Sequence, residues 1–172
     1  MMRHLTPADY RTMTWANGRG QTVELLRKDD ADGRMLWRLS MATVAENGPF
    51  SLFPGINRSL TVIDGPGFDL VGERYLRADP LVPVGFSGDS PIAAANVRGS
   101  SQDFNVMVRA PLWMQVSFHR DGVIAADPGA LWFCFALGPA RVASQALKLH
   151  DLLCAPEDLS VSGGPVIVVQ IG

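Results

Sequence analysis

Apolar and polar positions alternate one for one through several stretches of the chain. In "TVELL", "LWRLSM" and "DFNVMV" every second residue is greasy and its neighbours carry hydrogen-bonding groups. Strand side chains point to opposite faces with a period of two, so this alternation predicts half-buried β-strands. "QTVELLRK", "MLWRLSMATV", "RSLTVID", "PIAAANV", "DFNVMVR", "MQVSFHR", "LWFCFAL" and "GPVIVVQI" read as strands, giving at least eight. Asp32-Gly33, Asp64-Gly65 and Asp121-Gly122 read as the turns between them. "RVASQALKLHDLLC" fits a helical spacing through Val142, Ala146, Leu149 and Leu153, yet Leu147, Leu149 and Asp151 suit a strand and turn, and we read it as strand. Seventeen glycines and twelve prolines, spread through 172 residues, keep each run short, which is the punctuation of an all-β protein.

Short antiparallel strands in that number must close on themselves or stack as two sheets, since open edges invite aggregation. The segment "RSLTVIDGPGFDLVGERYLRADPLVPVGFSGDSPIAAA" follows the cupin order of strand, Gly-rich turn and returning strand, with Gly88-Asp89 where that pattern starts the return. No Ser- or Gly-rich linker divides the chain, so residues 1–172 are expected to form a single compact unit, and any two halves of it to be packed together.

The polar members of the alternating pairs are Thr22 with Glu24, Arg38 with Ser40, and Asp103 with Asn105. Their intervening neighbours are Val23 and Leu25, Trp37, Leu39 and Met41, and Phe104 and Val106. A solvated sheet face explains such alternation, but it draws on Lys and Glu. Arg, Asp, Asn, Ser and Thr are shorter or more directional groups, suited to a fixed network. We therefore expect a lumen or groove lined by Glu24, Arg38, Ser40, Arg58, Asp103 and Asn105. Arg58 follows the turn Phe53-Pro54-Gly55, where its fork of donors matches a carboxylate. Two readings of it stand level: an anion clamp, or an ion pair with Asp64 or Asp89 that pins the turn.

Composition narrows the classes. Hydrophobic residues make up 47% and charged residues 19%, and the mean hydropathy is +0.12, which suits a folded globule. A net charge of -2 offers no basic field for phosphates, so nucleic acid is not an expected direct partner. No stretch resembles a secretion signal or the ~18 apolar residues of a membrane span, so cytoplasmic residence without membrane attachment is expected. Cys134 and Cys154 lack CxxC spacing and lie in apolar surroundings, which reads as buried reduced thiols.

Catalytic motifs are not recognisable. His4, His119 and His150 are far apart and form no HxH, so no metal and no cofactor is expected. "GFSGD" lacks the last glycine of a nucleophile elbow. "NGRGQT" is neither a dinucleotide fingerprint nor a P-loop and reads as a turn before "TVELL".

"WANGRGQTVEL" at 15–25, "WRLSMATVAENGPFSLFPGINRSLTVIDGPGFDL" at 37–70, "FSGD" at 86–89 and "GSSQDFNVMVR" at 99–109, taken in order, resemble the HutD/Ves family. Beyond residue 110 the likeness is looser, and no site residue is carried over from there. The resemblance implies a cupin-like fold of two barrel lobes, no cupin metal box, and a pocket whose arginine corresponds to Arg58. It further implies sensing or buffering of a histidine-utilisation intermediate such as urocanate or formylglutamate, for the HutD branch. The Ves branch is tied to stress responses. The expected function is thus binding of a small organic acid, with Arg58 engaging the carboxylate, Arg38, Ser40 and Asn105 completing its shell, and Glu24 and Asp103 orienting the arginines. Two alternatives stand beside it. One is a metal-independent isomerase or hydrolase with Glu24 or Asp103 as general base. The other is an interaction module in which "LWFCFAL" forms a homodimer or partner surface.

Overall fold

The computed structural model describes residues 2–15, 20–125, 127–156 and 158–172. The turn expected over Asn17, Gly18 and Arg19 lies outside the described residues. Regular structure is almost wholly strand, with one short 3-10 turn at Pro7–Asp9. In chain order come β1 (Arg3–Leu5), β2 (Arg11–Thr14), β3 (Gln21–Asp29), β4 (Met35–Val44), β5 (Gly48–Pro49) and β6 (Ile56–Asp64). Next are β7 (Phe68–Val71), β8 (Tyr75–Ala78), β9 (Val84–Ser87), β10 (Ala93–Ala95), β11 (Ser101–Arg109) and β12 (Met114–His119). The last are β13 (Gly122–Val123), β14 (Leu131–Ala136), β15 (Ala140–Val142), β16 (Gln145–Leu147), β17 (Leu152–Cys154), β18 (Ser160–Ser162) and β19 (Val166–Ile171). No helix among the described residues is long and apolar enough to cross a membrane.

The chain divides into two compact units, Arg11–Pro111, and Met1–Tyr10 with Leu112–Gly172. In the first, a six-stranded sheet ordered β2-β3-β4-β11-β6-β9 is accompanied by a four-stranded sheet ordered β5-β10-β7-β8. Antiparallel register sets β11 between β4 and β6, so that Arg38, Met107 and Arg58 form one row across the sheet. Ser40, Asn105 and Leu60 form the next row, and Ala42, Asp103 and Val62 the third. Paired residues share a face. The three rows therefore look the same way, while Trp37, Leu39, Met41, Phe104, Val106 and Val108 lie on the opposite face and are buried. Toward the small sheet, Val44, Leu60 and Val62 pack with Phe68, Leu70, Ala78, Ile92 and Ala94. Burial of each large side chain there contributes about 1.5–3 kcal/mol. Hydrocarbon thus closes one part of the interior and leaves the polar rows to line the rest.

The second unit pairs a five-stranded sheet, β1-β17-β14-β19-β12, with a four-stranded one, β13-β18-β15-β16. Trp132, Cys134, Ala136, Val142, Leu147, Leu153, Val161, Val166 and Val168 pack as its core. The ambiguous stretch 141–154 resolves into extended pieces, contributing to β15, β16 and β17, as its Leu147 and Asp151 suggested. Within "LWFCFAL", β14 is flanked by β17 and β19 and Trp132 through Ala136 are buried within the chain, whereas Leu131 is exposed. The unbroken apolar character of Trp132 to Ala136 fits burial on both faces. Both cysteines are free and buried there, and burial pushes the Cys134 thiol up to about 12, which leaves it a packing group.

Candidate functional site

A cavity of about 310 Å³ opens within the unit Arg11–Pro111. Its floor is the polar face of the six-stranded sheet, with Thr22, Arg38, Ser40, Arg58, Asp103, Asn105 and Met107; its walls come from Trp15, Pro49, Phe50, Ser51 and Phe53. That size is at the lower end of ligand pockets, and at about 30 Å³ per water it holds a molecule of roughly ten non-hydrogen atoms.

Arg58 is held by aromatic faces rather than by an acid. Its guanidinium carbon lies 5.5 Å from the Phe50 ring centre, 5.3 Å from that of Phe53 and 4.8 Å from that of Phe86. Nη1 donates to the Ser51 carbonyl at 3.3 Å. The residue is only 7% exposed. Burial pulls its pKa down to about 10, opposed by the Asp103 charge and assisted by Arg38, so it remains a cation at neutral pH. Arg38 shares the Phe53 ring at 5.5 Å and donates Nη2 to the Met107 thioether at 3.3 Å. Burial lowers its pKa too, with Glu24 acting the other way. Quadrupole attraction to three rings offsets part of the cost of drying Arg58, at about 2 kcal/mol or less per ring.

The turn that carries Phe53 explains how this cage is positioned. Gly55 has φ +73°, a left-handed backbone conformation that favours glycine, and Ile56 N bonds back to the Phe53 carbonyl at 3.1 Å. Asp89 braces the turn, accepting from Gly55 N at 3.0 Å and from the Ser87 hydroxyl at 3.2 Å. Gly88 lies so close that a Cβ there would sit 2.4 Å from the Phe53 carbonyl oxygen. The ion pair of Arg58 with Asp64 or Asp89 is therefore not formed: among the described residues neither acid is within ion-pair distance of it, and Asp89 pins the turn through a backbone amide.

Asp103 is wholly buried. Asn105 Nδ2 donates to its Oδ1, and Oδ2 has no hydrogen-bond partner among the described residues. Burial raises its pKa to about 7, against the lowering influence of Asn105 and of Arg58. Five buried side-chain polar atoms among the described residues lack a partner, and four of them belong to Arg38 (Nε), Arg58 (Nε), Asp103 (Oδ2) and Asn105 (Oδ1). Buried polar groups are normally satisfied, so their concentration in one cavity singles it out.

Five of the six expected residues thus meet here. Glu24 does not: it stands opposite Ser40 in register, yet the pairing of β3 with β4 slips directly after it and it is not part of the lining. The expected orienting role of the acids also changes. Ring faces, a carbonyl and a thioether hold the arginines, while Asp103 and Glu24 act on them only through space. Sequence reasoning missed Phe50, Phe86, Met107 and Trp15. Trp15 Nε1 donates to the Thr22 hydroxyl at 2.9 Å at the cavity wall. Among the described residues no three His, Cys, Asp or Glu side chains cluster as metal ligands would.

Comparison with known proteins agrees with this architecture. The structure of HutD from Pseudomonas fluorescens SBW25, described as a formate condition, superposes with a TM-score of 0.89 at 30% identity, covering 99% of this chain and 98% of that one. A conserved protein of unknown function from Pseudomonas aeruginosa PAO1 superposes at 0.84 with 29% identity, covering 99% and 98%. The nickel-bound pirin YhhW of Escherichia coli, at 0.67 and 8% identity over 99% and 98%, shares the fold alone. Among curated proteins, an uncharacterized 21.2 kDa protein from the hutC 3' region of Pseudomonas putida is 38% identical over 108 residues, 60% of this chain and 56% of its own length. The chain thus matches little more than half of that relative. The all-β architecture is the one the alternation predicted, and the cupin-like fold of two lobes is the one the strand order and the family resemblance implied. Its sequence matches the HutD family model over residues 7–163, and the chain belongs to the HutD family.

Proposed function

We propose that the protein binds a small organic carboxylate in this cavity and so senses or buffers an intermediate of histidine utilisation, of the urocanate or formylglutamate type. One observation carries the reading: two guanidinium groups, Arg38 and Arg58, face one cavity with no acid in ion-pair contact among the described residues. A buried cation with no acid in direct contact is costly, and an incoming carboxylate would supply that contact. Ser40 and Asn105 stand in the neighbouring row, within the same lining. The hut-associated relatives give the metabolic context.

Calorimetric titration with urocanate, N-formylglutamate, glutamate and formate tests the reading. Arg58→Ala is expected to lose about 2–5 kcal/mol of binding free energy, because it removes one partner of a desolvated pair. Equal affinity in the variant and the parent would contradict the role given to Arg58.

A second reading, a metal-independent isomerase or hydrolase, is favoured by Asp103 alone. A carboxyl group pushed to about 7 can exchange a proton near neutrality, and Arg58 in the same lining would stabilise an oxyanion. Glu24, outside the lining, has no such geometry. Turnover of urocanate or N-formylglutamate that disappears in Asp103→Asn while binding persists would favour catalysis; binding without turnover favours the receptor.

A further inference from the structure

The four unpartnered atoms in the cavity are of two kinds. Nε of Arg38 and Nε of Arg58 are donors, whereas Oδ2 of Asp103 and Oδ1 of Asn105 are acceptors. The Asn105 amide is committed in one direction, since its nitrogen already serves Asp103 Oδ1. Its oxygen has no partner among the described residues, and the second N–H of the amide remains beside it. Anion binding answers the arginines and leaves the two oxygens unanswered. A simple carboxylate would then bury two bare acceptors, which costs free energy however well its own charge is met.

We propose that Asp103 and Asn105 are specificity-determining residues that select, among small carboxylates, those carrying an N–H or O–H donor for these two oxygens. The inference rests on the carboxylate-binding reading and deepens it. Asp103 is 1% exposed and Asn105 5%, so neither oxygen has easy recourse to bulk water. They belong to one strand two residues apart, and Asp103 has Ala42 and Val62 as its cross-strand neighbours, which offer no competing donor side chain. The charged groups sharing the lining are Arg38 on β4 and Arg58 on β6. A ligand that spans the rows would set its anion toward the Arg38-Met107-Arg58 row and its donor toward the Ser40-Asn105 and Ala42-Asp103 rows. Sites built to pair a ligand donor reject analogues that lack it more sharply than apolar pockets reject a missing methylene.

Two matched pairs of probes test this by calorimetry at pH 8. Urocanate, with a ring N–H, is compared with 3-(2-furyl)acrylate, which has a ring oxygen instead; N-formylglutamate is compared with glutarate. In the parent protein the donor-bearing member of at least one pair is expected to bind about tenfold tighter or more. In Asn105→Leu that ratio is expected to fall to within about twofold, and Asp103→Leu provides the same comparison should the first variant not fold. Binding of both members of each pair with equal affinity overturns the specificity role and leaves the anion site standing. A ratio that persists in both variants also overturns it, by placing the selection elsewhere. Failure of all four probes to bind the parent rejects the carboxylate site itself, and the inference with it.

Discussion

At the scale of single residues, the site consists of charged and polar groups whose environment contradicts their chemistry. Arg58 is a cation caged by Phe50, Phe53 and Phe86, and Asp103 is a carboxyl group surrounded by the interior of the sheet. The second contradiction has a measurable consequence for folding. The Asp103 pKa in the folded protein, about 7, exceeds the usual value in an unfolded chain, about 3.9, so the folded state holds its proton more tightly. Its contribution is fully present below about pH 4 and is lost as the pH rises through about 7. Urea midpoints measured from pH 4.5 to 8 should show stability falling by about 3 kcal/mol at most from this group, and Asp103→Asn should flatten that part of the profile. A parent and variant with parallel profiles would contradict the assignment. Arg38, Ser40, Asp103 and Asn105 were legible in the sequence because alternation fixes the face, and their residue types argue against a solvated one. Glu24 satisfied the same rule and stands opposite Ser40 in register, yet it is not part of the lining. The phenyl cage was not legible either: Phe50 and Phe53 precede β6, Phe86 lies on β9, and only tertiary pairing brings them to Arg58.

At the scale of elements, the position of Arg58 depends on the turn before β6 and the residues that brace it. Backbone amides of Phe53 and Gly88 bond across to Gly88 and Ile56 carbonyls at 2.8 and 2.7 Å, so two chain segments lock together without side chains. Gly88→Ala places a methyl group against the Phe53 and Ile56 carbonyl oxygens, at 2.4 and 2.8 Å before relaxation. The expected result is a loss of about 1–3 kcal/mol in stability, with weakened carboxylate binding because Phe53 shifts. Thermal unfolding and titration of the same variant check both, and normal affinity would detach the turn from the site. Long strands such as β4, β6 and β11 were readable from ten or so alternating residues. Short ones such as β8 and β13 were not, since two to four residues carry too little pattern to tell a strand from a loop.

At the scale of the whole chain, two units with similar two-sheet construction differ in what fills them. Hydrocarbon occupies the interior of the unit built on Leu112–Gly172, whereas the unit Arg11–Pro111 keeps a cavity with two arginines and an aspartate. A net charge of -2 gives no hint of that internal cation pair, because composition sums over surface and interior alike. If ligand binding belongs to the cavity alone, a core variant in the other unit should separate stability from affinity. Leu153, fully buried, is such a position: Leu153→Ala should cost about 2–5 kcal/mol in stability and leave carboxylate affinity unchanged. Loss of affinity in the folded variant would show that the site needs more than its own unit. The most direct test of the central claim is a crystal structure determined with N-formylglutamate or urocanate. The account predicts ligand density inside the cavity, with a carboxylate oxygen about 3 Å from the Arg58 guanidinium. Density for the ligand anywhere away from Arg58 and Arg38 would contradict it.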